Sequence, residues 1–240
     1  MPRNSHFQFK QFIIRQDRCA MKVCTDACVF GAWIDVEAAE RILDIGAGTG
    51  LLSLMAAQRS SGAVIHAVEI DPDAAAQALE NKELSPYGDR IKVVNTAIQE
   101  FTTQPGYDLI ITNPPFFQGD LRSPNHRKNG AHHAEFLTFE ELLQSVDRLL
   151  KPEGRWAVLL PPDESAQLAD MALRKGWITV SELLLYHEFT RKPLRRMTTF
   201  ARKTENSESV FRSEIAIFEF DGKTHTVAFR KLLQDFYLNF

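Results

Sequence analysis

No apolar run reaches the roughly 18 residues that a membrane-spanning helix needs. The opening stretch MPRNSHFQFKQF is also too polar for a signal peptide. These absences lead to the expectation of a soluble, cytoplasmic protein. Cysteine is scarce: Cys19, Cys24 and Cys28 lie close together, and no nearby Cys or His at a familiar spacing completes a metal site. Reduced, partly buried thiols are expected there, with no metal. Internal repeats and low-complexity segments are missing as well. Net charge is slight, formally −3, which argues against a surface coated in nucleic acid. The charge is unevenly placed, however. Residues 191–203 hold six basic residues and no acid, and residues 1–23 hold five against the single acid Asp17. A local basic footprint for nucleic acid stays open.

What is present is an ordinary globular composition, 44% hydrophobic over 240 residues, enough for one substantial core. From about residue 41, short apolar runs alternate with amphipathic stretches. Strands are expected at 41–48, 63–70, 91–97, 107–113 and 155–160. Helices are expected at 51–60, 72–84, 138–151 and 163–176. Pro72 suits a first helical turn, and Thr138 with Glu141 three residues on has the pattern of a capping box. The alternation predicts an α/β fold with a mostly parallel, doubly wound sheet that binds ligands at the carboxyl ends of its strands. After residue 178 two strands (178–189 and 195–203) follow without an intervening helix. Residues 214–220 and 223–229 then flank Asp221-Gly222 as an expected hairpin, before a last helix.

Two strand ends carry the candidate chemistry. DIGAGTG (44–50) joins the first strand to the first helix, where Gly46, Gly48 and Gly50 permit a tight turn and close approach of a ligand to backbone N–H groups. Leu51 breaks the dinucleotide G-x-G-x-x-G pattern, and the lysine of a P-loop is missing. Asp44 would repel a phosphate but suits a cationic amino-acid ligand. Glu69, ending the second strand, is placed to accept both hydroxyls of a ribose. A ligand with a ribose, a positive charge and no phosphate fits S-adenosylmethionine. The bland alternative makes Asp44 a helix cap and Glu69 a solvated strand end. TNPPFF (112–117) closes the fourth strand, and its bland alternative is a turn lined with aromatic core residues.

DIGAGTG, AVEID and NPPF, in this order on successive strands, resemble the class I S-adenosylmethionine-dependent methyltransferases, and Asn-Pro-Pro-aromatic resembles the subset that methylates NH2 groups. The resemblance implies a Rossmann-like fold with a seven-stranded sheet, an antiparallel edge and a C-terminal hairpin. It also implies a target such as adenine N6, whose lone pair is delocalised into the ring. Accepting both N6 hydrogens, one on the Asn113 side-chain oxygen and one on the Pro114 carbonyl, favours a tetrahedral nitrogen aimed at the methyl group. Pro114 and Pro115 fix the backbone, and Phe116 offers a stacking face worth about 1–3 kcal/mol.

Residues 7–36, QALEN (77–81), SPYGDRI (85–91), TNPPFF and DFYL (235–238) are similar to one bacterial family, the tRNA(Val) adenine-N6 methyltransferases, which modify the adenosine 3′ to the anticodon. MKVCTDACVFGAW (21–33) is the most specific of these stretches. The family pattern adds Lys22, Thr25 and Asp71 to the cofactor-binding set of Asp44, Gly46, Gly48, Gly50, Glu69 and Asn113. Where the family usually has an acid before IQ, this chain has Ala97, which leaves backbone groups of Ala97 and Ile98 for that contact.

A tRNA partner, engaged at the anticodon stem-loop of tRNA-Val, would find phosphate contacts at Arg122, Arg127 and Lys128, and at Arg191, Lys192, Arg195 and Arg196. Solvated surface charge is the bland alternative for all seven. His126, His132 and His133 are expected to be loop histidines rather than metal ligands. The expected organisation is one domain: an N-terminal extension (1–36), a cofactor-binding core (37–203) and a C-terminal hairpin and helix (204–240). Competing functions are an NH2 methyltransferase for ribosomal RNA guanine N2 or protein glutamine, a non-catalytic RNA-binding protein on the same fold, and a NAD-dependent oxidoreductase. Leu51 weakens the last of these.

Overall fold

The computed structural model describes residues 5–19, 21–114, 137–204 and 209–240. Its strands are β1 His6–Gln8, β2 Ile13–Arg15, β3 Arg41–Ile45, β4 Val64–Glu69, β5 Ile91–Asn95, β6 Tyr107–Thr112, β7 Leu150–Leu160, β8 Trp177–Tyr186, β9 Arg195–Arg202 and β10 Phe211–Ala216. Its helices are α1 Thr25–Trp33, α2 Leu51–Arg59, α3 Pro72–Glu83, α4 Phe139–Leu149, α5 Pro162–Arg174 and α6 Val227–Leu233.

The main sheet has the order β10-β8-β9-β7-β6-β3-β4-β5. Strands β3 to β7 run parallel, as the strand–helix alternation predicts. Antiparallel pairing is confined to the other side, where β9 inserts between β7 and β8. Period-2 alternation deals side chains to two apolar layers. Ile42, Ile111, Ala157 and Leu159 enter one layer, together with α1, α2 and α6. Leu43, Ile45, Ile110, Trp156 and Val158 enter the other, which includes residues of α4 and α5. Among the described residues no helix is long and apolar enough to cross a membrane.

Two details differ from the sequence-based expectation. The sheet has eight strands rather than seven, because the first arm of the expected C-terminal hairpin becomes β10 and pairs parallel to β8. The hairpin itself reduces to one antiparallel bridge, Phe218 to His225, across the Asp221-Gly222 turn. Its second arm runs into a helix from Val227 onward instead. Thr226 accepts from the Phe229 N–H at 3.1 Å and caps α6, while Phe229 and Leu233, one turn apart, are buried. Tertiary burial at helical spacing outweighs the strand propensity of Thr, Val and Phe in this stretch.

The capping box forms as expected. Thr138 Oγ1 accepts from the Glu141 N–H at 3.2 Å, and Glu141 accepts from the Thr138 N–H at 2.8 Å. Thr138→Ala is therefore expected to lower stability by about 1 kcal/mol, read as a shift in urea midpoint at constant slope.

Candidate active site

The chain leaves β3 for β4 and β5 on one side, then returns to β6 on the other, so the sheet's switch point lies between β3 and β6. Register sets Ile45 beside both Val68 and Thr112. The next residues along the chain, Gly46, Glu69 and Asn113, therefore share one edge. Thr112 reinforces the register by donating from Oγ1 to the Ile45 carbonyl at 2.9 Å.

Gly46, Gly48 and Gly50 all have positive φ, at 70°, 55° and 79°. Their surroundings differ. A Cβ on Gly50 would meet Ala78 at 3.4 Å, so Gly50 serves the approach of the turn to α3. A Cβ on Gly46 would meet no described atom within 4 Å, so the turn is open on that side. Between them, Gly48 lies under the N-terminal segment, with Cys19 Sγ 3.8 Å from where its Cβ would be.

Asp44 is fully buried. Oδ2 accepts from Ser53 Oγ at 2.7 Å, while Oδ1 has no partner among the described residues. Burial, with a smaller contribution from the charge of Glu69, pushes its carboxyl up to about 7, and the Ser53 bond only partly opposes this. It meets the first turn of α2 through Ser53, while Gly50 holds the N-cap position itself. Glu69 is not a solvated strand end. It is nearly buried, and its two oxygens accept from the N–H groups of Gly48 and Asp71, at 2.8 and 2.9 Å. Each oxygen keeps a further lone pair for a ligand.

The remaining predicted residues divide. Asp71 caps α3, accepting on Oδ1 from the N–H groups of Asp73 and Ala74. The Ala97 carbonyl already accepts from the N–H groups of Glu100 and Phe101, and the Ile98 carbonyl accepts from Arg148. Lys22 is exposed, and Thr25 opens α1. Asn113 is half-buried, with Oδ1 enclosed and without a partner among the described residues. Pro114 is buried, whereas Pro115 and Phe116 lie outside the described residues, as do Arg122, His126, Arg127, Lys128, His132 and His133.

The basic run at 191–203 is less available than its sequence suggests. Arg191 pairs with Glu188 at 2.6 Å, Arg195 with Asp26 at 2.8 Å and Arg196 with Glu182 at 3.7 Å. Lys192 is exposed beside them. The three cysteines are free thiols, and burial raises all three, Cys24 and Cys28 to about 12.

Sequence reasoning passed over Ser53 and the buried amides Gln16, Gln77 and Asn81. A signal for the last two was available: Gln77 and Asn81 are one turn apart on a helix whose buried side is otherwise Ala74, Ala75 and Ala78.

Known proteins resemble this chain. Residues 28–167 match the methyltransferase small domain family. The chain is 56% identical, over the whole of both chains, to a tRNA1(Val) (adenine(37)-N6)-methyltransferase of Dyadobacter fermentans. It is 41% identical to one of Bacteroides fragilis, over 97% of each chain. Among solved structures, a predicted O-methyltransferase from Agrobacterium tumefaciens superposes with a TM-score of 0.66 at 18% identity, covering 88% of this chain and 96% of the other, which is a likeness of fold. By full-length identity and by the matched domain, the chain belongs to the tRNA1(Val) (adenine(37)-N6)-methyltransferase family.

Proposed function

We infer that this chain transfers a methyl group from S-adenosylmethionine to the exocyclic N6 of adenosine 37, immediately 3′ to the anticodon, in a valine tRNA. The observation that carries the reading is the Asn113 side-chain oxygen. It is a buried acceptor without a described partner, at the end of β6 and level with the glycine turn and Glu69. An unpaired buried acceptor costs about 1–3 kcal/mol, so its retention is explained if substrate supplies the missing donor.

The residues present fit the cofactor. The orphaned Asp44 oxygen lacks a cation or donor, and the open side of Gly46 leaves room for a ligand against backbone. Asp44 would take the cationic amino-acid portion, Glu69 the ribose hydroxyls, and the Gly46–Gly50 turn the close backbone contact. Bound there, S-adenosylmethionine supplies an electrophilic methyl carbon.

The chain's own work is orientation. Asn113 Oδ1 and the Pro114 carbonyl accept the two N6 hydrogens and draw the amine out of the plane of the base, so its lone pair faces the methyl group. No strong base is required, since the methylated amine becomes acidic enough to lose its proton afterwards. A base in an anticodon loop is already unpaired, so presenting it costs less than extrusion from a duplex. With Arg195 and Arg196 engaged by acids, the phosphate contacts fall first to Lys192 and to residues outside the described set, Arg122, Arg127 and Lys128. We take residues 1–36, 37–203 and 204–240 to act as one unit in this reaction.

Incubation with labelled S-adenosylmethionine and total tRNA lacking native modification, followed by nucleoside analysis, tests the assignment. N6-methyladenosine confined to valine tRNA is expected. No label in tRNA, with label instead in guanosine of ribosomal RNA or in protein glutamine when these are supplied in its place, would move the enzyme to the alternative substrates.

A further inference from the structure

Asn81 lies on α3, is fully buried and uses its whole amide. Oδ1 accepts from the Arg15 N–H at 2.8 Å, while Nδ2 donates to the Arg15 carbonyl and to the Thr49 carbonyl, both at 2.9 Å. The opposite amide orientation would set an oxygen against two carbonyls, so the network has one solution. Thr49 belongs to the glycine turn. Its peptide with Gly50 is held at both ends, the oxygen by Asn81 and the Gly50 N–H by the Ala47 carbonyl at 2.8 Å. A single side chain thus ties the peptide plane that leads into α2 to a segment of backbone some 34 residues away, counted from Arg15 to Thr49.

The grip on the N-terminal arm extends further. One turn earlier on α3, the fully buried Gln77 accepts from the Arg18 N–H at 3.1 Å. Gln16, also buried, accepts from the Val23 N–H at 2.8 Å and folds the arm back toward α1. Held in this way, the arm brings Cys19 against Gly48. Arg15 and Arg18 both pair with Glu80 on the same helix, but these are exposed ion pairs of little worth. The buried amides bear the attachment.

We propose that Asn81 is a positioning residue that couples the N-terminal arm to the glycine turn, so that order in the arm and affinity for the cofactor rise and fall together. This rests on the reading of the turn as the S-adenosylmethionine site. Loosening the arm frees the Thr49 carbonyl and lets the turn relax; a ligand that orders the turn holds the Thr49 carbonyl and, through Asn81, the arm.

The test pairs hydrogen exchange with calorimetry on the full chain, using S-adenosylhomocysteine as the probe. In the wild type, the probe is expected to slow amide exchange in a peptide spanning residues 13–24. Asn81→Ala is expected to speed that exchange about tenfold or more in the free protein and to weaken binding of the probe by about tenfold. Exchange in β6 should be unchanged, which reports an intact sheet. Gln77 grips the arm but not the turn, so Gln77→Ala should speed exchange in the arm and weaken binding a few-fold; it decides the matter if Asn81→Ala does not fold. Faster exchange in the arm with unchanged affinity, in either variant, overturns the coupling, as does unchanged exchange in both. Wild-type protein that binds no probe overturns the cofactor reading and the coupling with it, whereas a binding wild type with uncoupled variants overturns the coupling alone.

Discussion

Asn113→Ala is expected to slow methyl transfer by about 10²- to 10³-fold while leaving affinity for S-adenosylhomocysteine within a few-fold. The separation follows from where the residue sits. Asp44, Gly46 and Glu69 belong to β3 and β4 and the turn after β3, whereas Asn113 follows β6 on the far side of the switch point. Its oxygen makes no hydrogen bond among the described residues, so alanine relieves an unsatisfied acceptor. The variant should unfold at the same denaturant concentration as wild type or slightly above. A structural role would instead lower stability and activity together. Single-turnover rates with enzyme in excess, alongside calorimetry with the product cofactor, separate the two. Loss of cofactor binding would show that Asn113 belongs to the other half of the site.

The second large effect falls on Asp44. Asp44→Asn preserves shape and removes the charge that the proposed site offers to the ligand's cation; a buried pair broken on one side loses about 3–5 kcal/mol, so binding should weaken by about 10²- to 10³-fold. The pH dependence has a definite sign. In the free protein the carboxyl titrates at about 7, raised from 3.8 chiefly by burial. A bound cation favours the charged form, so binding below that value must expel a proton. Affinity of wild type should therefore rise by up to about tenfold per unit as pH climbs toward 7, and level off above it.

Free-protein stability runs the other way. A folded pKa above the unfolded value contributes stability that is full below about pH 4 and is lost as pH rises through about 7. Asp44→Asn should flatten both profiles and be no less stable than wild type at pH 8. A flat affinity profile in wild type would detach Asp44 from the cation.

The parts of the fold that could be read from sequence are those in which local pattern and tertiary role agree. Strands β3 to β7 show apolar runs separated by helical periodicity, and Thr138 and Pro72 sit at helix starts as their chemistry demands. Helix α1 could not be read in the same way, because Ala27 to Ala32 are buried all round and leave no amphipathic stripe. Strands β1 and β2 are three residues each, too short for alternation to speak. Residues 223–229 alternate like a strand and fold partly as a helix, for want of any local sign that Phe229 and Leu233 would be buried together.

At the site, Asp44, Glu69 and Asn113 were legible because each lies at or beside the end of a strand, where an odd polar residue stands out. Asn81 was not, since an amide on a helix looks like solvent-facing surface until the arm is laid over it. The pairing of Arg195 with Asp26 spans 169 positions and has no local signature at all, so the basic run overstated the charge left for RNA.

The most direct measurement uses two transcripts of valine tRNA that differ only at position 37, adenosine in one and guanosine in the other. The enzyme should place close to one methyl group on each adenosine-37 transcript, recovered as N6-methyladenosine, and none on its partner. Equal labelling of both transcripts, or label recovered in any other nucleoside, would contradict the assignment.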